Sequence, residues 1–299
     1  MPQLAPRSSS RATRTVEQAV FTSVQGRQNH GYQLTSASPG IDAGQRRELI
    51  LWGPSHDSLL PGCQSALSFF RLKDGTAVLA RTSCAGEEYS HRGGARLYTQ
   101  FFLLAPDLMD RFSWQPFRVH EAIVGGGHAR LLPSPPEQLE PIRLIGRAAM
   151  MQLPQLQDAL REVGPNRLLR FLQIAMAGRP LALAASVAPE LILRSAFDLL
   201  PWKARQSVSF TNGLRHSPRR PFRWYMLGND PHERKRLLRQ SHQEIVDLTD
   251  DDPAGELDPW SGRIARLIEQ RQWDDLMRLV EASKDRTLQE AAELACGWE

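Results

Sequence analysis

Ser65-Ala66-Leu67-Ser68-Phe69-Phe70-Arg71-Leu72, then Lys73-Asp74-Gly75, then Thr76-Ala77-Val78-Leu79-Ala80-Arg81-Thr82, is the stretch on which the reading of this chain turns. An Asp-Gly pair between two β-prone runs signals an antiparallel hairpin. Upstream, Val16 to Ser23 and Tyr32 to Ser36 read as a second hairpin, broken at Gly26 and His30-Gly31, and downstream Arg96 to Leu104 supplies one more apolar strand. Between the hairpins, Asp42 can cap a helix carrying Arg46, Glu48, Leu49 and Trp52. Gly53-Pro54 stops that helix, the proline by lacking a donor and the glycine by permitting a left-handed turn. The first 130 or so residues therefore predict an antiparallel sheet with one or two helices against it, an α+β arrangement.

Leu132-Pro133-Ser134-Pro135-Pro136 breaks regular structure and marks a domain boundary. Beyond it the apolar period lengthens. Leu156, Leu160 and Val163, then Leu168, Leu169, Leu172 and Met176, fall on helical faces. The continuous apolar run Leu181 to Val187 precedes a helix opened by Pro189 and running through Leu200, and Gln206 to Thr211 reads as a strand that Phe222 to Leu227 could pair. The acidic run Asp247 to Asp252 with Pro253 reads as a linker. After it, Ile264, Leu267 and Ile268, then Leu276, Leu279 and Val280, then Leu288, Ala291 and Leu294, describe short amphipathic helices. The expected division is a disordered tail (1–15), an α+β domain (16–132), a mainly helical domain with a small sheet (137–246) and a C-terminal helical segment (254–299).

The chain has 37 Lys and Arg against 33 Asp and Glu, a net charge of +4, too small to suggest nucleic acid without a local basic patch. Its three cysteines, Cys63, Cys84 and Cys296, are widely spaced and fit neither a disulfide framework nor a paired zinc site, so a reducing cytoplasm is the simplest expectation. No apolar run approaches membrane-spanning length, and the first residues lack the apolar core of a signal peptide. No GxxxxGK[ST] loop, GxGxxG turn, HExxH helix or GxSxG elbow occurs, so no catalytic, metal or cofactor site is expected. Gly125-Gly126-Gly127-His128 precedes Leu131-Leu132-Pro133 instead of opening a helix and reads as a flexible turn. One enzymatic alternative stays open: Cys63 or Cys84 served by His56, His91 or His120, because such pairs meet only in the fold.

Arg215-His216-Ser217-Pro218-Arg219-Arg220-Pro221-Phe222-Arg223-Trp224 is the most basic short stretch. Its guanidiniums suit an acidic protein surface, while its aromatics and cations together leave open the alternative of a nucleic-acid or nucleotide sensor built on Arg215 to Trp224; the two prolines fit a hairpin connection. In His232 to Arg239, Leu237 and Leu238 would face a core and the cations would be solvated. Trp52 to Leu59 reads as a helix stop and turn, and Arg92-Gly93-Gly94 as a turn before a strand. The candidate partner-binding residues are Arg92, Arg215, Arg219, Arg220, Arg223, Trp224, His56 and Asp57.

Glu17-Gln18-Ala19-Val20-Phe21-Thr22-Ser23, Gly31-Tyr32-Gln33, Ser38-Pro39-Gly40 and Trp52-Gly53-Pro54-Ser55-His56-Asp57 together resemble the amino-terminal domain, second type, of bacterial GTPase-associated proteins. Arg92-Gly93-Gly94-Ala95-Arg96-Leu97-Tyr98-Thr99 continues the pattern, with Gln100 where relatives carry histidine. Ser207 to Leu214 and Arg219-Arg220-Pro221-Phe222 resemble the middle domain of the same family, so the resemblance spans residues 16–245. It implies a non-catalytic adaptor or regulator in bacterial signalling or conflict (defence) systems, acting by protein–protein interaction with a small Ras-like GTPase or another NTPase-system component. GTPase activation is not carried over, because it needs an arginine against a partner's phosphates and Arg92 or Arg219 are only available for it.

Overall fold

The structure, a computed structural model, describes residues 14–25, 30–87, 94–184, 189–227, 231–240, 244–249 and 254–298. The Asp-Gly hairpin lies inside a sheet to which ten strands contribute among the described residues. Its strands β3 (Ser65–Arg71) and β4 (Ala77–Glu87) pair antiparallel with Phe69 opposite Leu79. β4 pairs with β5 (Ala95–Leu104), β5 with β1 (Arg14–Gln25), and β1 with β2 (His30–Ala37), all antiparallel. Arg14 and Thr15 thus belong to β1 and not to the expected tail; the rest of that tail lies outside the described residues. The central strands are apolar at almost every position because both faces of the sheet are covered. Leu67, Phe69, Leu79 and Phe102 pack into one layer, while Phe70, Val78 and Phe101 pack into the other.

Helix α1 (Ala43–Trp52) begins with a capping box, the Asp42 side chain accepting from the Gln45 amide at 2.9 Å and the Gln45 side chain accepting from the Asp42 amide. Gly53 stops the helix without entering a left-handed turn; its backbone is extended (φ −64°). Glycine is needed there for another reason: a Cβ would lie 2.5 Å from the Phe21 ring. Two further helices, α2 (Pro106–Arg111) and α3 (Pro116–Gly125), exceed the one or two expected, and the glycine run closes α3, with the Gly126 and Gly127 amides bonded to the Ala122 and Val124 carbonyls.

The second half follows as β6 (Ile142–Leu144), α4 (Leu153–Val163), α5 (Pro165–Met176), β7 (Leu181–Ala184), α6 (Pro189–Leu199), α7 (Trp202–Ser207), β8 (Phe210–Thr211), β9 (Trp224–Leu227), α8 (Pro231–Gln240), β10 (Glu244–Asp247), α9 (Pro259–Glu269), α10 (Trp273–Ala282) and α11 (Leu288–Cys296). The order foreseen, an antiparallel sheet, then helices with small strands, then short C-terminal helices, is the order observed. The small strands nevertheless form no sheet of their own. β8, β9, β7 and β10 run parallel, and β8 joins β3 antiparallel with Ser68 opposite Thr211. At that seam the Asn212 amide donates to the Leu67 carbonyl (3.0 Å) and the Leu67 amide to Asn212 Oδ1 (2.6 Å); a Cβ on Gly213 would sit 2.9 Å from the Ser65 carbonyl oxygen. Sheet and core therefore continue across the Pro133–Pro136 break.

Three local expectations are corrected here. Gln206 and Ser207 end α7, so the strand shrinks to Phe210–Thr211. Because β8 and β9 are parallel, the 215–222 segment is a crossing loop and not a hairpin connection. On α8, Leu237 is buried but Leu238 is 62% exposed, since consecutive helical residues point about 100° apart and only one can face the sheet.

One buried arginine ties the helical layer together. Arg205, with no exposed surface, donates to the carbonyls of Leu200, Ser113, Met150 and Asp198, each at 3.0 Å. Burial pushes its pKa down to about 10, so it stays charged at neutral pH, with nearby Asp198 favouring the cation. Asp198 accepts from Gln115 Nε2 (2.8 Å) and lies 3.6 Å from Arg118 Nη2, yet burial outweighs both guanidiniums and holds its carboxyl above the usual range.

Candidate functional site

Two loops far apart in the chain, 53–60 and 213–220, are sewn edge to edge. The Arg215 amide donates to the Ser58 carbonyl and the Leu60 amide to the Gly213 carbonyl, both at 2.8 Å, and Leu59 bridges Leu214. The seam exists because β8 places Gly213 beside the start of β3, so the loop leading into β3 and the loop leaving β8 are delivered to the same spot. Between the loops, α1 and α8 lies a cleft of about 600 Å³. It brings His56 and Asp57 together with Arg215, Arg219 and Arg220, five of the eight sequence candidates.

The other three do not meet there. Trp224 is buried, edge-on to Phe171 (5.0 Å) and Phe197 (5.9 Å), and has no face for a base to stack on. Arg223 donates to Ser207 Oγ (3.0 Å) beyond the cleft. Arg92 and His91 lie outside the described residues; the neighbouring Gly94 sits against Asp57, where a Cβ would be 3.3 Å from Oδ1. Asp57 itself has a left-handed backbone (φ 59°), which aspartate tolerates better than most residues.

One wall of the cleft is cationic. Arg215 Nε lies 3.4 Å and Arg236 Nη1 3.2 Å from the same Glu233 oxygen, and Arg236 Nη2 donates to the His216 carbonyl (2.9 Å). Arg220, only 7% exposed, donates from Nη2 to Ser58 Oγ (3.3 Å), and its Nε has no hydrogen-bond partner. No ion pair to a carboxylate is recorded for it among the described residues. Its carbonyl accepts from the Tyr225 hydroxyl, which fixes the backbone behind the guanidinium. Burial, and secondarily Arg236, pull the Arg220 pKa below its ordinary value, although nearby Tyr225 works the other way. Burial, then Arg236 and Arg220, lower that of His216, whose Nδ1 is also without a hydrogen-bond partner. The opposite wall is aromatic and aliphatic: Phe21, Tyr32 and His56 form a ladder with ring centroids 6.0 and 6.4 Å apart, ending at the exposed His56, and Ile50 and Leu51 stand at the rim.

Sequence reading missed Arg236, His216 and Tyr32 as parts of this cleft, and Glu233 as the carboxylate shared by Arg215 and Arg236 behind it. The signal for Arg236 was in view as its i, i+3 spacing from Glu233, which puts a guanidinium beside a carboxylate on one face of α8. Of the thiols, Cys63 and Cys84 are half-buried, and burial raises the Cys63 pKa, which works against a thiolate nucleophile. His120 is on α3; burial is the largest influence on its pKa and lowers it. Among the described residues no group of three His, Cys, Asp or Glu side chains is placed to hold a metal ion, and no helix is long and apolar enough to cross a membrane.

Residues 15–124 match the family model of GTPase-associated protein 1, N-terminal domain type 2. The match takes in the sheet from β1 to β5 with α1 to α3, and ends before the strands that complete the cleft. No curated protein matches the chain.

Proposed function

We propose that this protein is a non-catalytic adaptor or regulator of a bacterial GTPase-linked signalling or conflict system, and that it docks an acidic surface of the GTPase or of another component of that system. The observation that carries this reading is the mouth of the cleft. Ile50 and Leu51, 46% and 60% exposed at the end of α1, line the same cleft as the exposed Arg219. Leu49 already anchors α1 to the sheet, so these two aliphatic side chains do nothing for the fold where they stand. An apolar anchor rimmed by arginine is the composition of an interface hot spot. The family description supports a GTPase as the associate. Nucleic acid is disfavoured, because Trp224 and Arg223, half of its stacking-and-phosphate case, are elsewhere.

The test is capture from the native host with the protein as bait, in parallel with GDP and with a non-hydrolysable GTP analogue. Recovery of a GTPase or NTPase component by the wild type, lost by an Ile50→Glu/Arg219→Glu bait of unchanged circular dichroism, supports the reading. With the recovered partner, Arg219→Glu alone should slow association roughly tenfold at low salt, since an exposed charge mainly steers encounter. Equal recovery by wild type and variant, or none by either, would overturn it.

A further inference from the structure

Arg220 poses a physical problem that the docking proposal leaves unanswered. A guanidinium withdrawn from water is costly unless an anion and hydrogen-bond acceptors replace its hydration. Arg220 is 7% exposed and has one serine hydroxyl as its recorded side-chain acceptor. The surroundings add to the imbalance, because Arg215, Arg219 and Arg236 line the same cleft, and the carboxylates recorded with them are Asp57 on the wall and the shared Glu233 behind it. Arg220 Nε and His216 Nδ1, both buried in this wall, have no hydrogen-bond partner within the described residues.

We propose that the cleft is a nucleotide site, with the phosphates held by Arg220 and Arg219 and the base lying on the exposed face of His56 against the Phe21–Tyr32 side. Phosphate suits a guanidinium wall because it offers several charged oxygens to forked N–H donors. A flat ring suits the other wall because the Phe21–Tyr32–His56 ladder ends in an exposed aromatic. The volume, about 600 Å³, falls in the range of small-molecule sites. Half of the site comes from the family-matched domain and half from the 213–220 loop and α8, so it forms only in the complete fold. This inference does not rest on the docking proposal: Arg219 would serve both, but Ile50 belongs to docking alone and Arg220 to nucleotide binding alone, so variants at these two residues separate them.

The test is titration calorimetry on the full chain with GTP, ATP, GDP and inorganic phosphate as separate probes. At least one nucleotide should bind at about 10 μM or tighter, and inorganic phosphate at least tenfold more weakly, since it lacks the ring. Arg220→Met should weaken the nucleotide by roughly tenfold or more without lowering the thermal midpoint, and His56→Ala should weaken the nucleotide but leave phosphate unchanged. Should Arg220→Met fail to fold, Arg219→Gln carries the same test with a smaller loss. Bound nucleotide should also raise the pKa of His216 by NMR, because its anion offsets Arg220 and Arg236. Ile50→Glu should keep nucleotide binding, so loss of partner capture and loss of nucleotide are read independently. Absence of binding by every probe at about 1 mM, equal binding of phosphate and nucleotide, or full binding by the Arg220 and Arg219 variants would overturn the assignment.

Discussion

Arg205 and Arg220 are both arginines hidden from water, and they are hidden in opposite ways. Arg205 has four backbone carbonyls and the neighbouring Asp198, so its environment is complete within the chain. Arg220 has Ser58 and a neighbourhood of like charge. A buried charge whose partners are all internal is part of the scaffold, whereas one whose partners are missing points outward to a ligand. The same contrast separates the two regions: the interior behind α3, α6 and α7 is closed, and the cleft between the 53–60 and 213–220 loops is open to solvent.

The largest expected effect is in the closed region. Arg205→Met should lose about 3–5 kcal/mol of stability by urea denaturation, because it leaves four buried carbonyls without their donor and removes one of the two guanidiniums near buried Asp198. Adding Asp198→Asn should recover part of that loss; a single mutant within about 1 kcal/mol of wild type would break the comparison. Arg220→Met should move stability by less than about 1 kcal/mol, or raise it, since an uncompensated cation leaves and a methionine of similar length fills the space. A loss as large as that of Arg205→Met would place Arg220 in the scaffold.

Acid should sharpen the contrast further. His120 and His216 both have folded-state pKa values below the ordinary histidine value, burial first in each case. A depressed folded pKa means that the unfolded chain binds more protons, so the stability is present above the unfolded pKa of about 6.5 and is lost as pH falls below it toward the folded value. Thermal midpoints should therefore drop between about pH 7 and 5, and His216→Phe should blunt the drop. For His120, Glu190 and Glu121 already offset Arg81 and Arg194; the two charges that lower the His216 pKa, Arg236 and Arg220, are both cationic. A polyanion such as a nucleotide should consequently reduce the acid sensitivity due to His216 and leave that of His120 alone.

The smallest effect concerns the 132–136 break. We propose that cleavage there leaves the two pieces associated, with cleft ligand affinity changed less than about twofold, because the β3–β8 ladder holds both walls. Fragments that separate on gel filtration would restore a view of two independent domains.

Much of the architecture was legible in local chemistry. The Asp-Gly hairpin, the Asp42 cap and the spaced leucines of α4 and α5 and apolar sets of α9 to α11 were readable because each is written within a turn or two of chain. α3 was not, because buried Arg118 sits among Phe117, Val119 and Ile123 and erases the apolar face a periodicity search needs. β8 was expected as a longer strand from Gln206 to Thr211, but its pairing with β3, which makes the two halves one sheet, is written in no local pattern.

The residues alone identified the chemistry on offer, the family-like motifs of the first 124 positions, and most of the charged side chains that line the cleft. They placed Arg220, Arg223 and Trp224 in one basic, aromatic loop on equal terms. Tertiary structure separated them: parallel pairing of β9 sends Trp224 into the core and ties Arg223 to Ser207, while the Gly213–Ser65 approach swings Arg220 against Ser58, more than 150 residues away in sequence. Adjacent residues share a composition, but which side of a sheet each one faces, and what charge lies across from it, depends on strand pairings no local pattern contains.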